Sequence, residues 1–255
     1  MIRCRLVTLL ALLGLVACRP ATETNMPPLR VFSSNGVKAL LLEVQPDVER
    51  ALGRPIAFEF STAAALTRRI DAGEAPDVAV LTSALVDQLA GRGKLAPGSR
   101  RDVARVGVGV GVRSDAASSD IGTPEALKAL LLDARSVTFT AEGQSRATID
   151  RSFDRLGIAE EMRAKTILKG PGEAPAAVAR GEATVVLTLV SEIVDVAGLT
   201  LLGPLPRELQ NHVTFTAARG ATARDPAAAD RLVHALSGPD VAARLSRYGL
   251  EPATP

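Results

Sequence analysis

From Leu29 onward, short apolar runs alternate with helix-period stretches almost without a break. That alternation narrows the fold more than any other feature. "LRVFS" at 29–33 reads as a strand. Val37, Leu40, Leu41, Val44 and Val48 then recur at helical spacing and predict a helix over 36–51. "PIAFEF" at 55–60 alternates as a strand. Thr62 caps a helix with Leu66 and Ile70 inward, stopped at Gly73. "DVAVLT" at 77–82 is a buried strand, and Thr82 opens a helix that ends near Gly91. A strand-helix order of this kind requires a parallel-rich sheet with helices on its faces, hence an α/β fold.

"ARVGVGVGVR" at 104–113 interrupts the pattern. One face is β-branched and the other has no side chains, which suits a strand under a closely packed helix. It suits equally a long strand crossing between two lobes. A second α/β set follows. Thr123-Pro124 caps a helix, "SVTFT" at 136–140 is a strand, and Ser145 opens a helix carrying Ile149, Phe153 and Leu156, stopped by Gly157. "TIL" at 166–168, "ATVVLTL" at 183–189 and "LTLLGPLP" at 199–206 supply strands. "KGPGEAP" at 169–175 leads into a helix that ends at Gly181. "HVTFTAA" at 212–218 alternates and is expected to run back between lobes, with a hinge at 213–217 opposite one at 107–111. Asp225-Pro226 caps the next helix, and a last one carries Val241, Leu245 and Tyr248. The expected division is lobe one at 29–106 and 218–255, and lobe two at 107–217.

The start of the chain speaks to compartment. Arg3 and Arg5 precede an apolar run, Leu6 to Val16, and then "LVAC" ending at Cys18. This reads as a signal peptide over 1–17, too short to span a bilayer. Cys18 after Leu-Val-Ala is similar to the lipobox of bacterial lipoproteins, where that cysteine carries the lipid. Residues 18–28 contain three prolines and no periodicity, so they read as a lipidated cysteine and flexible tether. The anchor implies attachment to a membrane without spanning it. Arg19 after Cys18 points to the outer membrane of a cell that has one.

Removing 1–17 takes two basic residues and no acid, leaving 28 basic against 28 acidic side chains. A neutral body of this kind argues against nucleic acid. Cys4 leaves with the signal, so no internal disulfide remains. His212 and His234 stand in no metal-ligand spacing, and no nucleophile elbow or phosphate loop occurs. The glycines of 107–111 are not followed by a helix and so do not form a dinucleotide fingerprint. No cofactor or metal is expected.

What remains is a set of strand-to-helix junctions rich in small and hydroxyl residues: "SSNG" at 33–36, "STAA" at 61–64, "LTSA" at 81–84, "EGQS" at 142–145 and "GPGE" at 170–173. Each is a good helix cap in its own right. Set at the carboxyl ends of strands in two facing lobes, they would also aim N–H groups and hydroxyls into one cleft, which suits a small anion. Glu142, Glu173 and Glu192 are the acids available for proton transfer, but no nucleophile stands at a recognisable spacing, so an enzyme is not expected. Arg68 and Arg69, past the cap of their helix, are expected to face solvent.

The chain resembles the periplasmic solute-binding proteins of ABC transporters, type 2 fold, in the molybdate-binding group. "LRVFSSNGVKALLLEV", "FEFSTAAALTRRIDAGEAPDVAVLTS", "RLGIAEEMRAKTILKGPGE", "AVARGEATVVL" and "LLGPLPRELQ" carry the resemblance, from about Leu29 to Pro252. It implies a two-lobed fold, parallel-rich sheets joined by two crossover strands, and closure on a small anion held by hydroxyls and backbone N–H groups. By position it implies Ser33, Ser34, Asn35, Thr62, Ala63, Ser145 and Gly172 (or the neighbouring Glu173) as ligand-binding residues. It also implies a monomer in the periplasm that serves an ABC permease. A ligand-sensing or accessory lipoprotein is the alternative. Two departures stand out: Ala63 where the molybdate binders carry serine, and Leu189 where they carry tyrosine. The missing hydroxyls argue against molybdate itself.

Overall fold

The computed structural model describes residues 26–253, so the signal segment, Cys18 and most of the tether lie outside the described residues. The first half runs β1 (Leu29–Ser34), α1 (Lys38–Leu52), β2 (Ile56–Ser61), α2 (Ala63–Asp71), β3 (Val78–Thr82) and α3 (Ser83–Gly91). A 3-10 turn over Asn35–Val37 joins β1 to α1. β4 (Arg101–Arg113) crosses into the second half. That half holds α4 (Pro124–Asp133), β5 (Val137–Thr140), α5 (Arg146–Leu156), α6 (Ala159–Lys165), β6 (Thr166–Lys169), α7 (Glu173–Ala179), β7 (Val185–Leu189), α8 (Val190–Ile193) and β8 (Leu199–Pro204). The chain returns through β9 (His212–Arg219), α9 (Pro226–Leu236), α10 (Pro239–Ala242) and a 3-10 turn over Leu245–Tyr248.

The strands form one path, β2-β1-β3-β9-β4-β7-β5-β6, with β8 paired to β4. In the first half β1 lies parallel to β2 and β3; in the second β5 lies parallel to β6 and β7. The central pairings through β4 and β9 are antiparallel. This is the two-lobed, parallel-rich architecture expected of the pattern. β4 carries the crossing: residues 101–107 pair with β9, and 108–113 pair with β7 and β8. β9 does not run between lobes. It pairs along its whole length with β3 and β4 in the first half, so the expected second hinge at 213–217 is corrected. The return lies instead at 205–211, where the Leu205 N–H and the Gln210 side chain all bond the backbone of Val108.

The glycine face of β4 has a packing reason. A side chain at Gly109 would strike Val190, and one at Gly111 would strike Ile193, so α8 lies directly on the bare face. The strand therefore crosses between halves and lies under a helix. α1 and α9 bury Leu40, Leu41, Val44, Leu232, Val233 and Leu236 against one side of the first sheet. α2 and α3 cover the other side through Leu66, Ile70, Val86 and Leu89 around Phe32. α6 was not read from the sequence. Its run "AEEMRAK" buries only Met162, so it shows no apolar stripe to detect.

Candidate functional site

The junction after β1 bends sharply because Ser34 leaves the strand and its Oγ accepts the Gly36 N–H at 3.4 Å. The chain then turns once as a 3-10 helix before α1 begins. Gly36 is buried where no side chain fits. A Cβ there would lie 2.7 Å from Leu189 Cδ1 and closer still to the Phe215 ring. Leu189 belongs to β7 of the second half, so the two halves touch at this glycine.

Four further ties join the halves around the same point. Gln144 Nε2 donates to Ser34 Oγ at 3.1 Å. Ser191 Oγ donates to the Gly36 carbonyl at 2.6 Å. The Asn35 amide lies against Gly172, its Nδ2 3.3 Å from where a Cβ on that residue would stand. Gly172 has φ +77°, which favours glycine. Arg68 Nη2 meets Glu142 Oε2 at 2.7 Å. Arg68 is therefore exposed, as expected, but it also clasps the opposite half. Arg69 instead stacks on Phe32 and bonds Glu59 and Glu74.

The expected site residues occupy distinct roles. Ser34, Asn35 and Gly172 are brought together across the cleft. Thr62 Oγ1 caps α2 by accepting the Ala65 N–H at 3.2 Å, and Ala63, fully buried, offers only its backbone. Ser33 is buried with its hydroxyl turned to the Ser34 carbonyl at 3.3 Å. Ser145 begins α5, is 2 % exposed, and its hydroxyl caps nothing. The Glu173 N–H is spent on the Gly170 carbonyl, which leaves Gly172 as the N–H donor of that junction. Gln144 and Ser191 were not read as site residues. Gln144 lies inside the junction "EGQS" and Ser191 just beyond the strand run "ATVVLTL", but only the closed geometry shows that they reach the first half.

The three acids available for proton transfer are each engaged. Glu142 pairs with Arg68, and Glu173 Oε2 accepts the Gly170 N–H at 3.0 Å. Glu192 is the third residue of α8 and takes hydrogen bonds from the Thr188 hydroxyl and from the N–H of Leu189, the residue that caps the helix. A glutamate at that position reaching back to its own cap is one half of a capping box. Burial pushes its carboxyl above the usual carboxylate range, and these hydrogen bonds only partly offset that. The folded state thus holds this proton more tightly than the unfolded chain, so stability falls as pH rises from the ordinary glutamate range through the raised value. Glu192→Gln keeps the cap and removes the buried charge. Thermal melts between about pH 5 and pH 8 should show a higher Tm at the alkaline end and the loss of that slope. A lower Tm at every pH would show that the carboxylate is needed.

Among the described residues no group of three or more His, Cys, Asp or Glu could hold a metal, and no helix is long and apolar enough to cross a membrane. The fold and the cleft are those of a two-lobed, type 2 periplasmic binding protein. Residues 29–251 match the model of the bacterial extracellular solute-binding proteins, and the chain belongs to that family. The Azotobacter vinelandii periplasmic molybdate-binding protein superposes with a TM-score of 0.74 at 16% identity, covering 89% of this chain and 99% of that one. The periplasmic binding protein AfuA from Actinobacillus pleuropneumoniae, solved with fructose-6-phosphate, gives 0.63 at 13% identity over 88% and 84% of the two chains. In sequence the chain is also similar to an aconitate isomerase from Pseudomonas sp, 28% identical over 249 residues, 96% of this chain and 93% of that protein.

Proposed function

We propose that this protein captures a small anion, an oxyanion or a small organic acid, between its two lobes and delivers it to an ABC permease. Closure pivots at Gly107–Val108 and at 205–211. The protein acts as a monomer outside the cytoplasm, lipid-anchored through Cys18. The observation that carries this reading is the convergence of Ser34, Asn35, Gln144 and Gly172 from both halves on one point. Ser34 Oγ accepts two N–H donors, so its own O–H is left to donate to an anion. Gly172 adds a backbone N–H, and neutral donors of this kind hold anions without a charged partner. Leu189 packs on Gly36 and adds no hydroxyl, which favours an organic acid over molybdate. Calorimetry with molybdate, sulfate, phosphate and small carboxylates tests the reading. Binding of one of these that closes the lobes supports it, and no heat with any of them overturns it.

A second reading comes from the relative named as an aconitate isomerase: the same cleft would carry out chemistry on a bound tricarboxylic acid. The engagement of Glu142, Glu173 and Glu192 in pairing and capping speaks against it. Incubation with cis-aconitate, followed by proton NMR, decides. Turnover lost in Glu192→Gln would establish this reading, and an unchanged spectrum would remove it.

A further inference from the structure

A second part of the cleft carries a different polarity. A cavity of about 440 Å³ opens between the halves, lined by Thr82, Ser83, Gln144, His212 and Thr214 among others. That is the size of an ordinary small-molecule site and far more than a lone tetrahedral oxyanion fills. Gln144 lines it and also donates to Ser34, so one side chain borders both the cavity and the converging donors.

The proton on Ser83 has a fixed destination. Thr216 is fully buried and its Oγ1 lies 2.5 Å from Asp102 Oδ1. A carboxylate only accepts, so the single Thr216 proton goes to Asp102. Ser83 Oγ lies 2.7 Å from Thr216 Oγ1, which must therefore accept the Ser83 proton. Among the described residues the one other acceptor for that proton is the Thr214 carbonyl at 3.3 Å, on the same strand. Ser83 thus turns only lone pairs toward the cavity. A carboxylate oxygen placed there would be repelled, whereas a ligand hydroxyl would be accepted.

We infer that Ser83 forms a subsite for the hydroxyl of a small hydroxy acid whose carboxylate sits at Ser34, Asn35 and Gly172. This rests on the anion-binding reading above and narrows it to ligands that pair an acceptor group with a donor group. The Asp102–Thr216–Ser83 chain sets the discrimination, because a site that hydrogen-bonds a ligand hydroxyl rejects the analogue without it.

The test is calorimetry of the purified protein with two matched pairs, malate against succinate and citrate against tricarballylate. In at least one pair the hydroxy acid is expected to bind at least tenfold more tightly. Ser83→Ala should erase that difference and leave the affinity for the hydroxyl-free partner unchanged. Thr216→Val, which breaks the chain at its centre, should reduce the difference as well and serves if Ser83→Ala does not fold. Equal affinities within both pairs, or an equal loss for both partners in Ser83→Ala, overturns the inference. Binding of sulfate or molybdate with none of the four acids overturns it and leaves the anion reading standing. No binding of any anion overturns both.

Discussion

Gly36→Ala is expected to destabilise the protein by about 1–3 kcal/mol, the usual range for overpacking, and to abolish closure of the cleft. The added methyl would stand 2.7 Å from Leu189 and press into the Phe215 ring. Phe215 is fully buried in β9 and cannot retreat without disturbing the first sheet. Leu189 is the softer neighbour, and moving it shifts β7 and with it the second half. The Ser191 bond to the Gly36 carbonyl is lost in the same movement. Denaturant melts and calorimetry check the two effects. A variant with wild-type stability and wild-type affinity would show that the contact is slack.

Asp77→Ala is expected to cost about 3 kcal/mol. The Asp77 side chain is 3% exposed and accepts the N–H groups of Arg30 and Arg224 and the Arg224 guanidinium. It thereby ties β1, the start of β3 and the loop before α9 together. Removing it leaves two backbone N–H groups without an acceptor, each costing about 1–3 kcal/mol when buried. Burial alone would raise its pKa, but the hydrogen bonds from Arg224 and from the Arg30 backbone outweigh it and hold the carboxyl below the ordinary aspartate range. The unfolded chain therefore binds this proton first. The stabilisation is complete above the ordinary aspartate pKa and is lost as pH falls through the lowered one. Glu74, held at about 2 by Arg69 and Arg30, titrates in the same direction. Acid melts of wild type and Asp77→Ala should converge as pH falls. Curves that stay parallel to the lowest pH would show that the carboxylate charge plays no part.

Most of the fold was legible because each strand run and each helix period satisfies a local rule. Thr62, Thr123 and Asp225 cap the predicted helices, and Gly53 and Gly157 end theirs in the left-handed conformation. The junction "SSNG" was legible as both a cap and a cleft wall, and Ser34 makes the cap bond while meeting Gln144 from the other side. The contribution of Gln144 and Ser191 was not legible. A glutamine beside a flagged serine carries no local signal; its meaning comes from the register that carries α5 and α8 to the first half. The course of β9 was missed for a similar reason. "HVTFTAA" alternates as any half-buried strand does, and only its pairing with β3 and β4 shows that it stays in one half. α8, four residues long, was too short to leave a period.

The role of Ser34 is tested most directly by the affinity of Ser34→Ala for whichever anion the wild-type protein binds in calorimetry, read beside its Tm. Loss of a hydrogen bond to a charged ligand, worth about 1.5–3 kcal/mol, predicts a fall in affinity of roughly tenfold to more than a hundredfold. Loss of the cap predicts a stability change of about 1 kcal/mol or less. Intact affinity with lowered stability would make "SSNG" a fold joint only, and the ligand would have to bind elsewhere.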